Sequence, residues 1–416
     1  MLRANHTGRW TKPSPVQYPH QWNWDSGFIS LGWSTFDWDR ATLEIESMLA
    51  AQWSNGMVPH LHYDPDHLVD YFPGPDRWPG AELRVRHLGE LTSGISNPPI
   101  LAIAAERVGR RQHDPDRRTA FWRRVLPQLS DWIRYLLRDR QLPGSPLVTV
   151  VHPWETGWDN SPRWDFLAAA GLKPKRPYER LDTRAVGSGE RPSGRDYDAY
   201  VALAEVISEG GFDLAAYSSN TPFLVNDVLF DSLTLGAADA INRMASELGT
   251  GEPFAEKQLD DFARAFEEVH WNAQANEYRD HDARAGRQID APSAAGLAAL
   301  AGGARVSAER GAALFDAYQA RNRGLLPIPT VPADSPSFDP DLYWRGPVWV
   351  NVNWLVADGL ASLGLTARAA DLSQRTLTAV EGSNFAEYLN PTDAMGRGIR
   401  GFSWSAALAL DLLESR

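Results

Sequence analysis

The chain has no cysteine among its 416 residues, which excludes disulfides, thiolate metal sites and a thiol nucleophile. Lysine is scarce too: four (Lys12, Lys173, Lys175, Lys257) stand against 37 arginines, a bias that points to a GC-rich genome and carries no functional information. No run approaches about 18 uninterrupted apolar residues, and the opening stretch from Met1 to Trp10 lacks the apolar centre of a secretory leader. These absences predict a soluble, cytoplasmic protein that does not engage a membrane. The formal charge of −12, from 41 basic and 53 acidic side chains, argues against a polyanion-binding surface and so against nucleic acid as a partner. There is no Gly-x-Ser-x-Gly elbow and no phosphate-binding glycine loop.

Tryptophan is what the chain has in excess. Its 17 copies are roughly three times ordinary usage. Most are clustered: Trp22, Trp24, Trp33 and Trp38, then Trp154, Trp158 and Trp164, then Trp344, Trp349 and Trp354. Core packing on helical faces accounts for Trp122, Trp132 and Trp354, whereas clusters beside Gly, Pro and Asp ask for another explanation. The flat apolar face of an indole suits the C–H side of a pyranose, and a carboxyl walled by indoles is desolvated, which raises its pKa toward that of a general acid.

Helical periodicity recurs over 39–53, 98–108, 116–138, 196–209, 222–248, 254–272, 292–303, 306–321, 347–363, 366–381 and 402–414, with no alternating strand series, so the fold class is all-α. Pro127 is expected to kink the helix over 116–138. Leu224, Val225, Val228, Leu229, Phe230 and Leu233 leave no clean polar side, which predicts a helix buried on both faces. A double ring of helical hairpins supplies that environment. Long connections at 54–96, 141–195 and 322–346 are expected to cover the site as lids on a single domain spanning 1–416.

Two carboxylates stand out. Trp154 to Asp165 holds three tryptophans with Glu155, Asp159 and Asp165, and Glu387 lies in Ser383-Asn384-Phe385-Ala386-Glu387-Tyr388 before a proline turn. A pair of acids is what glycoside hydrolysis needs. Asp159 is followed by Asn-Ser-Pro, a turn composition in its own right, and Glu155 and Asp165 are its rivals for the acid. Asp25 is a favoured residue type for capping a helix, but between Trp24 and the aromatic entry at Tyr18 and Trp22 it suits gripping sugar hydroxyls. His60, His62 and His67 alternate with acids, yet counting from Asp64 the sixth position is Val69 rather than Gly and the twelfth Pro75 rather than Glu, so a calcium loop fails. No metal is expected. A non-catalytic sugar binder would keep the tryptophans without needing Asp159 and Glu387 together.

Five stretches in order resemble glycoside hydrolase family 63, and more distantly trehalases: Gln-Trp-Asn-Trp-Asp-Ser-Gly-Phe (21–28), Asn-Gly-Met-Val-Pro-His (55–60), Glu-Thr-Gly-Trp-Asp-Asn-Ser-Pro-Arg-Trp (155–164), Tyr-Trp-Arg-Gly-Pro-Val-Trp (343–349) and Asn-Phe-Ala-Glu-Tyr (384–388). The compact length is similar to the bacterial branch that hydrolyses mannosylglycerate and glucosylglycerate. The resemblance implies an (α/α)6 barrel, a ring of six helical hairpins, and an inverting hydrolase without cofactor. By motif, Asp159 would be the acid and Glu387 the base. Tyr18, Trp22, Trp24 and Asp25 would line the sugar site, with Tyr343, Gly346 and Trp349 opposite. Arg191 and Tyr197 would hold the glycerate, a role that suits a guanidinium because its fork matches a carboxylate. Asn97 stands where the family pattern has Gln, which withdraws a sugar-facing amide by one methylene and bears on preference among hexoses. The partner implied is a small glycoside, and a homo-oligomer is compatible with the sequence.

Overall fold

The structure is a computed structural model and describes residues 1–303, 306–322, 325 and 327–414, so the expected loop over 322–346 lies outside the described residues at 323, 324 and 326. It is mainly helical, with a few two-residue strands. The helices sort by burial into two sets. Asn23–Trp33 has all eleven residues buried, and Val228–Leu248, Val350–Ser362 and Ser403–Glu414 are buried on nearly every face. By contrast, Glu256–His270 buries only Leu259, Phe262, Ala263, Phe266 and His270, a stripe at three- and four-residue spacing.

The fully buried elements follow one another round a closed circuit. Asn23–Trp33 packs on Ile100–Arg110, which packs on Val228–Leu248, which packs on the helical turns Ala295–Ala298 and Ala299–Gly302. These pack on Val350–Ser362, which packs on Ser403–Glu414, and that last helix returns to Asn23–Trp33. At this closure Gly32 lies so near the last helix that a Cβ there would sit 2.3 Å from the Cα of Ala407, so nothing larger fits. The striped helices Trp38–Ala50, Pro115–Asp139, Glu256–His270, Ala308–Arg321 and Thr366–Glu381 each pack on a buried one. The two-faced apolar pattern of 228–233 is thus explained by enclosure in this inner set, while Leu224 and Val225 lie before the helix.

Helix bounds lie within a few residues of those expected. The helix expected from 222 begins only at Val228, because the Asp227 side chain accepts from Phe230 N (2.7 Å) and so sets the N-terminus, while Val225–Asn226 pairs as a strand with His281–Asp282. Pro127 does not interrupt Pro115–Asp139, which runs as one helix of 25 residues. No helix among the described residues is long and apolar enough to cross a membrane.

Candidate active site

The N-terminal ends of several inner helices meet around one cavity, which encloses about 550 Å³ of space with its mouth. Asp25 comes from the first turn of Asn23–Trp33, Trp349 precedes Val350–Ser362, and Trp404 opens Ser403–Glu414. Each of the three long loops adds to the wall: His60 and Tyr71 from 54–96, Trp154 and Asp159 from 141–195, Tyr343 and Trp344 from 322–346. The sugar-facing set expected from the sequence (Tyr18, Trp22, Trp24, Asp25, Asn97, Tyr343 and Trp349) lines the same space, with both Asp159 and Glu387.

One wall is a stack of rings. The Trp344 and Trp349 indoles lie parallel with centroids 3.7 Å apart, Trp158 stacks behind Trp344 at 5.0 Å, and Tyr388 covers the far side of Trp349 at 4.8 Å. Parallel stacking of this kind makes a rigid apolar block. Behind it the Arg163 guanidinium lies over both Trp158 and Trp164 and bonds Asp227 (2.8 Å) and Asp280 (2.9 Å), so the Trp154 to Asp165 loop is pinned to the helix that Asp227 caps.

The three acids of that loop have separate fates. Glu155 is fully buried, paired bidentately with Arg140 (2.7 and 2.6 Å), and accepts from Ser96 N and Val151 N, so it is a structural anchor. Asp165 is exposed and bidentate with Arg345 (2.6 and 2.9 Å). Asp159 alone of the three faces the cavity, and no guanidinium or ammonium pairs with it among the described residues. Desolvation pushes its carboxyl up to about 7; Arg191 opposes the shift, and the Glu387 and Asp182 charges add to it. The three acids of the motif thus differ in environment: Glu155 is ion-paired in the core, Asp165 is solvated, and Asp159 is desolvated with no cation paired to it among the described residues.

Glu387 lies opposite in character. Its Oε1 accepts from Tyr18 Oη (2.9 Å) and Arg191 Nη1 (3.1 Å), and its Oε2 accepts from Arg191 Nη2 (2.7 Å) and Ile399 N (3.0 Å). The backbone around it is built for this contact. Asn384 and Phe385 hold positive φ (53° and 49°), Tyr388–Leu389 pairs with Gly396–Arg397, and a Cβ on Gly398 (φ 63°) would lie 2.3 Å from Glu387 Oε2. Tyr343, which joins the cavity wall, also has positive φ (44°). Strained non-glycine backbone of this kind persists where the surroundings over-determine it. Burial pushes Asp25 well above the ordinary carboxyl range, with Glu387 and Glu44 adding to the shift.

Three sequence candidates stand outside the cavity wall. Arg191 is buried behind Glu387 with its fork occupied by that carboxylate. Tyr197 is buried with its hydroxyl donated to the Phe72 carbonyl (3.1 Å) and the Arg180 guanidinium over its ring. Gly346 packs on the Asp339 backbone. Asn97 donates to the Trp154 carbonyl (3.1 Å), leaving its buried Oδ1 without a protein partner. The histidines of the 54–96 loop disperse: His62 bonds Glu90 (2.6 Å), His67 bonds Asp70 (2.8 Å), and His60 is held neutral by burial, its pKa down to about 3. Among the described residues no group of three such side chains could hold a metal ion.

Sequence reasoning did not select Tyr71, His60, Phe402 or Trp404 as wall residues. Phe402 and Trp404 carried a signal, since Gly401-Phe402-Ser403-Trp404 opens a helix with aromatics much as Trp22-Asn23-Trp24 does. Tyr71 sits in a stretch dominated by His, Asp and Pro and carried none.

Comparison with known proteins places this site in context. The family model for the mannosylglycerate hydrolase MGH1-like glycoside hydrolase domain matches residues 18–405. A mannosylglycerate hydrolase of Thermus thermophilus is 37% identical over 99% of this chain and 98% of its own length. A glucosylglycerate hydrolase of Mycolicibacterium hassiacum is 34% identical over 99% and 96%. Among solved structures, a GH63 mannosylglycerate hydrolase from Thermus thermophilus in complex with Tris and D-glycerate superposes with a TM-score of 0.90 at 36% identity, covering 100% of this chain and 98% of that one. With its whole site-bearing length matched, the chain belongs to the mannosylglycerate hydrolase MGH1-like glycoside hydrolase family.

Proposed function

We propose that this protein is an inverting α-glycoside hydrolase that cleaves mannosylglycerate and glucosylglycerate to hexose and glycerate, with Asp159 as general acid and Glu387 as general base. The closed circuit of buried helices and its outer partners is read as an (α/α)6 barrel forming one catalytic domain over 1–416. The observation that carries the assignment is the contrast across the cavity: one carboxyl kept protonated to near neutral pH by desolvation, one carboxylate fixed by a cation and two further donors. Such a split is what divides acid from base in glycosidases. Asp159 protonates the glycosidic oxygen as the C1–O bond breaks. Water attacks C1 from the opposite face, and Glu387 takes its proton. Trp22 and Trp24, with the edges of the stacked Trp344 and Trp349 indoles, wall the sugar ring, and the unpartnered Asn97 Oδ1 accepts from a sugar hydroxyl. Arg191 is the cation for the glycerate carboxylate, whereas Tyr197, its hydroxyl donated to the Phe72 carbonyl, has no free donor for it.

The test is product stereochemistry. Proton NMR at early times should show β-hexose released first from both α-linked substrates. Release of the α-anomer first would overturn the inverting assignment, and absence of free hexose would overturn the substrate class.

A further inference from the structure

A carboxylate offers about four lone-pair positions, and on Glu387 all four are taken. Tyr18 Oη and Arg191 Nη1 occupy Oε1; Arg191 Nη2 and Ile399 N occupy Oε2. No position is left to accept a proton from water. The group assigned as base is therefore held in a form that cannot act as one, and the side chain responsible is Arg191.

The four donors are not equivalent. Ile399 N belongs to the hairpin backbone, and Glu387 N in turn donates to the Ile399 carbonyl (2.8 Å), so that contact is fixed. Tyr18 is wedged between Trp22 and Phe402. Among the described residues the Arg191 guanidinium bonds only Glu387 and the Tyr18 hydroxyl (2.8 Å), resting otherwise on the rings of Tyr343 (4.8 Å) and Tyr18 (5.9 Å), and its buried Nε has no partner there. Withdrawing Arg191 would free one lone pair on each Glu387 oxygen and leave Tyr18 and Ile399 to hold the carboxylate in place.

We infer that Arg191 is a clamp on the base, opened by the substrate's own carboxylate. The inference rests on the acid–base reading given above and deepens it: the anionic aglycone does more than bind, because it competes for the guanidinium fork and so unmasks Glu387. A ligand shifts an equilibrium only by its differential affinity for the two states, and a carboxylate has that differential for a guanidinium released from Glu387, whereas a neutral aglycone has none. Specificity for charged glycosides then arises at the chemical step as well as in binding.

The experiment separates leaving group from activator. With α-mannosyl fluoride the C1–F bond breaks with fluoride leaving on the bonding pair, water oxygen bonds C1, and its proton goes to Glu387. No acid is required, and the aglycone space stays open for an added ligand. D-glycerate should raise the wild-type rate on this fluoride saturably, by roughly 5–150-fold as coupled sites typically do, and glycerol, which lacks the carboxylate, should not. R191A should hydrolyse the fluoride faster than wild type and show no response to glycerate. Simple inhibition by glycerate, equal effects of glycerate and glycerol, or a slower R191A would overturn the clamp. If R191A does not fold, the glycerate and glycerol pair on wild type decides alone. Mannosylglycerate is assayed alongside: its turnover without glycerate activation of the fluoride sinks the clamp and leaves the function standing, and its non-turnover sinks both.

Discussion

Asp159 and Glu387 share a cavity and a functional group, yet their surroundings differ in every respect. The arm carrying Asp159 spends its one cation inward, on Asp227 and Asp280, and leaves the acid with aromatic neighbours. The arm carrying Glu387 brings a cation, a hydroxyl and a backbone N–H to the carboxylate proposed as the base. The chemistry of a carboxyl here is decided by which charges the fold delivers to it, and residue type alone does not separate the two roles. Replacing each in turn with its amide sharpens the contrast. Asp159→Asn and Glu387→Gln should both lose about 10²–10⁴ in kcat on mannosylglycerate, the usual worth of a general acid or base. On α-mannosyl fluoride, whose leaving group needs no proton, Asp159→Asn should recover most of its activity and Glu387→Gln should not. Recovery by both, or by neither, would break the assignment.

A second contrast lies within the Trp154 to Asp165 loop. Glu155 is ion-paired with no solvent exposure, and Arg140 opposite is 3% exposed. Removing one member of a buried pair strands the other charge, so Glu155→Ala should destabilise the fold by about 3–5 kcal/mol. Urea unfolding measures this, and a loss below about 1 kcal/mol would show that water or a neighbour readily compensates Arg140. The catalytic consequence should follow stability here, unlike that of Asp159→Asn.

Proton occupancy gives the next test. Because Asp159 is raised to about 7, the acid is present below that pH and lost above it, so kcat/KM on mannosylglycerate should fall about tenfold per pH unit on the alkaline side. That limb should vanish on α-mannosyl fluoride. The linkage sign is the same for folding: a carboxyl whose folded pKa lies above its ordinary 3.8 favours the native state at low pH and loses that contribution as pH rises through about 7. Asp159→Asn should therefore gain stability over wild type at pH 8, measured by urea midpoint, a gain that shrinks as pH falls below about 7 and is gone only below about 3.8.

Much of this was legible in the chain, and the reason is local. A carboxylate among tryptophans and a helix apolar on both sides are statements about residues near one another in sequence, and the place of Asp159 on the cavity wall and the enclosure of the helix over 228–248 follow from them, whereas the cap at Asp227, which moves that helix start from the expected 222, does not. What was not legible is pairing across distance. Arg191 meets Glu387 from 196 residues away, and no periodicity marks a guanidinium as belonging to one carboxylate rather than another. Gly398 is invisible for the same reason, since the need for hydrogen at its Cα appears only once Glu387 Oε2 lies beside it. Tyr71 reaches the wall from a stretch whose composition speaks of turns. At Pro127 the long-range part is what keeps the element whole: the helix buries Phe121, Trp122, Val125, Leu126, Leu129, Trp132 and Ile133 on both sides of the proline and continues through it without a break.

The smallest effect should come from the remaining acid of the loop, and it tests how the acid arm is held. Asp165 is 56% exposed and grips Arg345, which also donates to the Asn160 carbonyl (3.3 Å), while Asn160 Oδ1 accepts from Trp344 N (3.0 Å). Two straps therefore join the loop bearing Asp159 to the wall bearing Trp344, one exposed and one buried. An exposed ion pair is screened by solvent and contributes about 0.2–1 kcal/mol, so Asp165→Ala should shift the urea midpoint only slightly and change kcat on mannosylglycerate by less than about fivefold. Asn160→Ala, which leaves the buried Trp344 N–H without its acceptor, should cost about 1–3 kcal/mol and lower kcat more. The reverse order would mean that the exposed strap, and not the buried one, holds the acid against the stacked indoles.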